Sequence, residues 1–537
     1  MTSTQSTAPQ FDAIVIGAGV NGLYTLYRLR ELGLSVRTLE AGAGVGGTWY
    51  WNRYPGARLD SESYSYGYFF SEEIQQEWSW SEEFAGQPEL ERYFNFVADR
   101  LQLRPDIELN TRVASAHYDA ETASWTLRTT DGRTFTARFV VFATGILSRP
   151  LFPEITGLDE FSGAYHHTAL WPHEPVELAG KRVAVIGTGA SGVQLIPSIA
   201  DQVEHLTVFQ RTPNWCAPSN NFHFSAERVA DLKSRWREIR DTCRETPGGF
   251  IHSPRDESAL DVSADERQAL YEKLWNATGL ALSHSNFRDL LTNREANDTV
   301  SSFIAEKIRT RVHNPDVADQ LIPKDHGFAM KRPPLETNYY EAYNRDNVEL
   351  ISLDKEPIVR ATEQGLETTR RNLDFDVIIL ATGFHAGTGP MLKVDITGED
   401  GAALQDYWAD GPRTLLGVLV VGFPNMFIVS GPQGGTAGNI PRFGELQANW
   451  IVECVRHMKE RGYQKIEATP EAEEAWVEHA IGTVEKTLLS QANSWYFGSN
   501  VPGKKRAFQL YAGSQSTYRS RLDEAGREYQ DFKFTSE

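Results

Sequence analysis

The chain has 537 residues, a formal net charge of −19, 40% hydrophobic and 23% charged residues, and three cysteines. It is too long for one ordinary core, so two or three domains are expected, and its acidity argues against nucleic acid or an anionic membrane as the main partner. Cys216, Cys243 and Cys454 are widely spaced and form neither a zinc pattern nor a C-x-x-C pair, which excludes a dithiol reductase, calls for no metal and fits a reducing cytosol.

The polar opening MTSTQSTAPQ lacks the basic start and apolar centre of a signal peptide and reads as a short disordered leader. No apolar run approaches the roughly 20 residues that a membrane-spanning helix needs. A soluble cytoplasmic protein is expected, monomeric or weakly self-associating. From Asp12 to Glu40 an apolar run leads into Gly17-Ala18-Gly19-Val20-Asn21-Gly22, followed by a helix-like segment and a second β-rich run. This reads as strand, tight turn, helix, strand. One glycine permits the turn, one lets the backbone approach a pyrophosphate, and one lets helix and strand pack closely.

The next stretch, Gly46-Gly47-Thr48-Trp49-Tyr50-Trp51 through Tyr54-Pro55-Gly56-Ala57-Arg58-Leu59-Asp60, is too rich in aromatics, glycine and proline for a regular helix and too rigid for a linker. It reads as an ordered loop that stacks rings near a flat cofactor. A helix over Gln87 to Leu103 follows, then strands near Ile107 to Val113 and Ser124 to Arg128. A buried strand from Phe139 ends in Ala143-Thr144-Gly145. The same ending returns at Ala381-Thr382-Gly383, and each such strand is expected to close one nucleotide-binding unit.

Phe161 to Pro172, FSGAYHHTALWP, stands directly before a second copy of the unit, Lys181 to Thr212, whose glycines are Gly187, Gly189 and Gly192. The two copies differ at the end of their second strand. Glu40 suits the ribose hydroxyls of an unphosphorylated adenosine, whereas the equivalent Gln210 is neutral and is followed by Arg211, a fork for a 2′-phosphate. FAD is therefore assigned to the first unit and NADPH to the second. From about Phe222 to Ile322 charged and apolar residues alternate at helical spacing, and Ser263 with Glu266 forms a capping-box pattern. This is read as an all-helical insertion shaping the substrate entrance. Beyond it lie a basic Lys331-Arg332-Pro333-Pro334 turn, a glycine-rich loop from Gly431 to Pro441 leading into an apolar-striped helix, and the aromatic Trp495-Tyr496-Phe497 before a turn-rich Val501 to Lys505.

Together with both glycine loops, Phe161-x-Gly163-x-x-x-His167-x-x-x-Trp171-Pro172 resembles the fingerprint of the Baeyer–Villiger monooxygenases, and Gly47-x-Trp49 through Asp60 resembles that family's second signature. The likeness runs from Phe11 to about Tyr511. It implies an NADPH- and O2-dependent enzyme that forms an FAD C4a-peroxide and inserts one oxygen next to a ketone carbonyl, giving an ester or lactone. Cyclic or aryl-alkyl ketones are the expected substrates, with sulfoxidation as a side activity. The peroxide must react as an anion, and an always-charged guanidinium can stabilise it and the oxyanion that follows. The resemblance gives that role to Arg332, with Asp60 orienting it. It further implies FAD contacts at Gly17, Gly19, Gly22, Glu40, Gly47, Thr48, Trp49, Asp60, Tyr66 and Ile440. NADP contacts would come from Arg58, Gly187, Gly189, Ser191, Gly192, Gln194, Arg211, Thr212, Lys331, Arg332 and Trp495. The ketone pocket would draw on Thr436, Ala437, Gly438 and Trp495.

His167 suits either an acid–base role or a hydrogen-bonded hinge between cofactor domains, and the hinge is favoured because nothing in the sequence puts it beside a reacting atom. A flavin N- or S-monooxygenase using the protonated hydroperoxide would share both glycine loops, but Trp171-Pro172 and Arg332 favour ketone oxidation. A redox sensor or scaffold without turnover would not need such an arginine. The expected fold is α/β, with two Rossmann-like dinucleotide-binding domains and an all-helical insertion. The FAD-binding domain is assigned to 1–150 and 386–537, the NADPH-binding domain to 151–221 and 323–385, and the insertion to 222–322.

Overall fold

Each glycine-loop unit grows into its own sheet. The computed structural model describes residues 8–435 and 437–536. In the first sheet the strand Phe11–Ile16 lies between Val36–Leu39 and Thr134–Phe142, both parallel to it, with Ile16 opposite Leu39 on one side and Phe142 on the other. Ile107–Glu108 extends the sheet beyond Val36–Leu39. On the other side Thr134–Phe142 serves two partners: its first half pairs antiparallel with Ser124–Thr129, and its second half pairs parallel with Met426–Ile428. Val113–Asp119 and then Asp395–Thr397 complete that edge. The second sheet is wholly parallel, in the order Val348–Ser352, His205–Gln210, Arg182–Ile186, Val377–Leu380, Ala164–His167.

The repeated Ala-Thr-Gly ending now has a structural meaning. Ile186 pairs with Leu380 as Ile16 pairs with Phe142, so Ala143 and Ala381 emerge at equivalent points beside the first glycine of each loop. The central strands are buried on both faces, as parallel strands are, with Ala13, Ile14 and Val15 and again Val183, Ala184 and Val185 fully enclosed. Each central strand leads into a helix, Val20–Glu31 or Ala190–Ile199, whose N-cap is a glycine without a capping side chain and whose first turn carries no acid. Those helix ends leave N–H groups and positive dipole free for an anion.

Two expected elements differ in detail. Asn110 at φ +53° breaks the anticipated Ile107 to Val113 strand into two, because a left-handed residue cannot sit in a continuous strand. The aromatic loop after the first unit contains one helical turn, Thr48–Trp51, started by Gly47 at φ +54°. The region 222–322 is helical, with helices Ala226–Ser234, Trp236–Glu245, Ala264–Trp275, Ala281–His284, Arg294–Arg311 and Pro315–Leu321. Ser263 and Glu266 make the full reciprocal capping box. The insertion buries Tyr271, Leu274, Val300, Ile304 and Ile308 in one core with Val193, Ile196 and Ile199 of the second unit's helix. Each leucine, valine and isoleucine among them contributes about 1.5–3 kcal/mol of transfer free energy. Among the described residues no helix is long and apolar enough to cross a membrane.

On its other side the insertion covers residues 61–84, where Glu83 is buried with Tyr64 Oη donating to its Oε1 at 3.1 Å. Burial first, and then the neighbouring Glu62 carboxylate, push the Glu83 carboxyl up to about 7. A raised carboxyl pKa means the folded state holds a proton that the unfolded chain has already released, so this stability is present below the ordinary carboxyl pKa and is lost as pH rises through about 7. The melting temperature is therefore expected to fall between about pH 4.5 and about pH 7, and Glu83→Gln is expected to flatten that slope in a thermal-melt series. Parallel slopes for the two proteins would remove Glu83 as its source.

Candidate active site

The carboxyl ends of both sheets open into one cavity of about 2360 Å³, well beyond the roughly 300–1,000 Å³ of a pocket for one ordinary ligand. Ligands of open α/β sheets bind at this end, where the strand order reverses about the first strand. Gly17 at φ +106° and Gly187 at φ +111° make the same turn in the two units. A Cβ on Gly17 would lie 2.7 Å from the carbonyl oxygen of Ala143, and one on Gly187 would lie 2.5 Å from that of Ala381. A Cβ on Gly189, by contrast, would meet nothing within 4 Å, which leaves room there for a phosphate to approach the backbone. The second cradle therefore fits a dinucleotide pyrophosphate, and the first makes the same turn with Gly19 facing the Gly47 backbone, 3.4 Å from where a Cβ would stand. Gly187→Ala is expected to weaken NADPH binding by about tenfold or more, through backbone strain and the clash with Ala381, while the bound-flavin spectrum persists. Unchanged titration of NADPH would contradict it.

Around the first cradle, Glu40 is buried at the end of its strand, with Oε2 accepting from the Ala18 amide at 2.7 Å and Oε1 accepting from the Gly42 amide at 2.7 Å. Burial raises its pKa against the lowering effect of these amides. Each oxygen keeps lone pairs for a ribose hydroxyl. Thr48, Trp49, Tyr66 and Ile440 line the same part of the cavity. Trp49 Nε1 donates to Tyr66 Oη at 3.0 Å, which fixes two rings at right angles.

Around the second cradle, Gln210 is buried and its Nε2 donates to the Gln320 carbonyl at 2.8 Å, so the neutral side chain is held by the insertion. Arg211 and Thr212 are exposed on the cavity wall. Among the described residues Arg211 has no ion-pair partner, whereas the three other basic residues expected to contact NADP do. Lys331 meets Asp325 at 3.0 Å, and Arg58 meets Glu82 at 3.5 Å and donates to the Phe84 carbonyl at 3.3 Å. Ser191 also lines the cavity, while Gly192 packs inside against the Gly187 carbonyl.

The two units are joined through Gln194, on the second unit's helix. Its Oε1 accepts from Tyr54 Oη at 2.8 Å, and its Nε2 donates to the Arg58 carbonyl at 3.2 Å and to Asp60 Oδ1 at 3.1 Å. Gly56 lies so close to this helix that a Cβ would fall 2.5 Å from the Gln194 carbonyl oxygen. The other oxygen of Asp60, Oδ2, accepts from Arg332 Nη1 at 2.6 Å. Asp60 is buried, and Arg332 faces the cavity. The carboxylate keeps the guanidinium charged against the cost of desolvation, so its pKa is raised overall. A fixed positive charge thus stands between the two cradles. Tyr496 feels that charge, and burial pushes its phenol up to about 12.

Ala437, Gly438, Phe250 and Phe443 form another part of the wall with Trp495. Thr436 lies outside the described residues. None of Phe161, Gly163, His167, Trp171 and Pro172 is among the residues lining the cavity. Gly163 packs where a Cβ would be 2.4 Å from the Phe161 ring. His167 ends the edge strand of the second sheet, accepts from the Ala169 amide at 3.0 Å through Nδ1, and meets Thr382 Oγ1 at 3.3 Å. Burial lowers its pKa, which favours the neutral ring. Sequence reading passed over Tyr54, Tyr496 and Asn439. Tyr54 and Tyr496 stood inside recognised motifs with nothing to say which aromatic faced inward, and Asn439 is defined by two distant carbonyls, those of Ser65 and Gly249.

A family profile described as pyridine nucleotide-disulphide oxidoreductase matches residues 14–314. Disulphide chemistry does not carry over, since the three cysteines are unpaired and buried and burial pushes the Cys243 thiol up to about 12. The chain is 45% identical over 501 residues to the 2-oxo-Δ3-4,5,5-trimethylcyclopentenylacetyl-CoA monooxygenase of Pseudomonas putida, covering 92% of each. It is 45% identical over 525 residues to the acetone monooxygenase (methyl acetate-forming) of Gordonia sp. strain TY-5, covering 97% of this chain and 98% of that one. The crystal structure of the OTEMO complex with FAD and NADP superposes with a TM-score of 0.96 at 43% identity, covering 98% of this chain and all of that one.

Proposed function

The chain belongs to the Baeyer–Villiger monooxygenases, FAD- and NADPH-dependent enzymes that place one oxygen atom next to a ketone carbonyl, and on that premise we propose which of its side chains carry the chemistry and on what ketones. The single observation that carries the reading is the Arg332–Asp60 pair, 2.6 Å across and facing the cavity shared by both glycine cradles. FAD, when bound and reduced by NADPH, supplies the activation of O2. The residues of the chain do the rest.

The helix ends after Gly19 and Gly189 hold the two pyrophosphates, Glu40 takes the ribose of FAD, and Arg211 takes the 2′-phosphate of NADPH. Arg332 stabilises negative charge that develops on oxygen as it adds to the ketone carbonyl. The guanidinium suits this task because it never loses its proton and its donors are preorganised. Asp60 aims it, and Gln194 ties Asp60 to the NADPH unit, so the charge keeps its place relative to both cradles. Trp495 and the 437–443 segment exclude water from the ketone. His167 acts as a structural pin at the edge of the second sheet, holding the turn at Thr168 and the Thr382 hydroxyl.

The substrates are cyclic or aryl-alkyl ketones, with sulfides oxidised as a side activity. The relative named for acetone and methyl acetate supports a ketone-to-ester reaction, and the one named for a cyclopentenylacetyl-CoA supports ring ketones. The test is turnover of the FAD-loaded enzyme with NADPH and 18O2 against acetone, cyclohexanone, an aryl-alkyl ketone, a sulfide and an aromatic N-heterocycle. One labelled oxygen in an ester or lactone is expected. Labelled N-oxides without any ester would overturn the reading in favour of an N-monooxygenase.

A further inference from the structure

Two residues beyond Asp60, Glu62 lies at the interface with the helical insertion. Its side chain has no solvent exposure, and its Oε1 meets Nε2 of His252 at 2.6 Å. The second oxygen has no hydrogen-bond partner among the described residues. His252 is itself held by Ser285, whose Oγ lies 3.3 Å from Nδ1. A second part of the insertion closes on the same carboxylate, since a Cβ on Gly279 would sit 3.0 Å from Glu62 Oε1. Burying a carboxylate with one oxygen unpaired is a poor way to gain stability. Its value lies in fixing one geometry out of many.

The segment it would fix belongs to the cavity. Pro247, Gly248, Phe250 and Pro254 line its wall on the insertion side. The far end of this segment is pinned to the 437–443 side, where the Asn439 amide donates to the Gly248 carbonyl at 2.8 Å and Asn439 Nδ2 donates to the Gly249 carbonyl at 3.0 Å. His252 is thus the near anchor of a strip that ends on the proposed ketone pocket.

We propose that Glu62 is a positioning residue which, through His252, sets the 247–254 wall of the cavity in register with the Asp60–Arg332 pair, and so controls how the ketone is held. The assignment rests on the reading of the cavity as the ketone site. The conservative pair Glu62→Gln and His252→Gln keeps a hydrogen bond across the contact, whereas Glu62→Ala and His252→Ala remove it.

The experiment compares these four variants with the parent enzyme, all loaded with FAD, by hydrogen exchange of the peptide spanning 247–254 and by ketone KM, kcat and ester formed per NADPH consumed. In the alanine variants, exchange of that peptide is expected to rise by about tenfold, as is ketone KM. Ester per NADPH is expected to fall, while the anaerobic rate of flavin reduction by NADPH stays within about twofold. The glutamine variants should recover most of both losses. Parental exchange and ketone KM in Glu62→Ala overturn the proposal. If Glu62→Ala yields no folded flavoprotein, the same result in His252→Ala overturns it. Exchange is read without turnover, so a failure of the Arg332 assignment would leave the exchange result standing, whereas normal exchange sinks the Glu62 assignment whatever Arg332 does.

Discussion

Arg332→Ala is expected to retain FAD and to oxidise NADPH while ester formation falls by about 10²- to 10³-fold, the usual loss when one preorganised donor to a developing oxyanion is removed. The size of the effect follows from the setting. The guanidinium is held 2.6 Å from Asp60, which is itself buried and tied to Gln194, so its donors are fixed in place before the ketone arrives. The variant also leaves the Asp60 carboxylate buried without its cation, which adds an unfavourable negative charge where the reaction must develop one. Arg332→Lys should recover little, because a compact ammonium lacks the rigid planar fork that lets one edge of a guanidinium engage Asp60 while the other edge faces the cavity. Ester by gas chromatography and hydrogen peroxide by a coupled assay separate lost oxygen transfer from lost NADPH oxidation. A parental ester yield from Arg332→Ala would end the assignment.

Arg211→Ala is expected to raise the NADPH Michaelis constant by about 10- to 100-fold and to leave that for NADH nearly unchanged, since a hydrogen-bonded pair to a charged phosphate is worth roughly 1.5–3 kcal/mol. Two other basic residues expected to contact NADP are already engaged, Lys331 with Asp325 and Arg58 with Glu82. Arg211, exposed on the cavity wall directly after the second unit's second strand, can meet a dianion without first breaking an ion pair to any described residue. The discrimination between the two nicotinamide cofactors should weaken with added salt in the parent enzyme, because exposed charge pairs are screened. Equal effects of the substitution on NADPH and NADH would defeat the assignment.

Local pattern was sufficient for much of this protein. Each glycine loop carries its own instructions: an apolar run must become a buried strand, and a glycine at positive φ must turn the chain. A helix opened by glycine, with no side-chain cap and no acid in its first turn, must offer its amides to an anion. These are short-range consequences of sterics and hydrogen bonding, so they could be read at 17–22 and 187–192 before any contact was known. The capping box at Ser263 and Glu266 and the helical character of 222–322 were legible for the same reason, as was the family, whose motifs are runs of neighbouring residues.

What neighbouring residues cannot express is which distant side chain meets which. That Gln194 reaches Tyr54 and Asp60, that Lys331 is occupied by Asp325 while Arg211 has no such partner among the described residues, and that Glu62 is buried against His252 were decided only when the two sheets and the insertion packed together. The energies at stake are those of desolvating charges and pairing buried polar atoms, and they depend on distance and burial rather than on residue type. The sequence on its own therefore determined the two nucleotide folds and the class of reaction, and the tertiary structure decided which charges are free to act on a ligand.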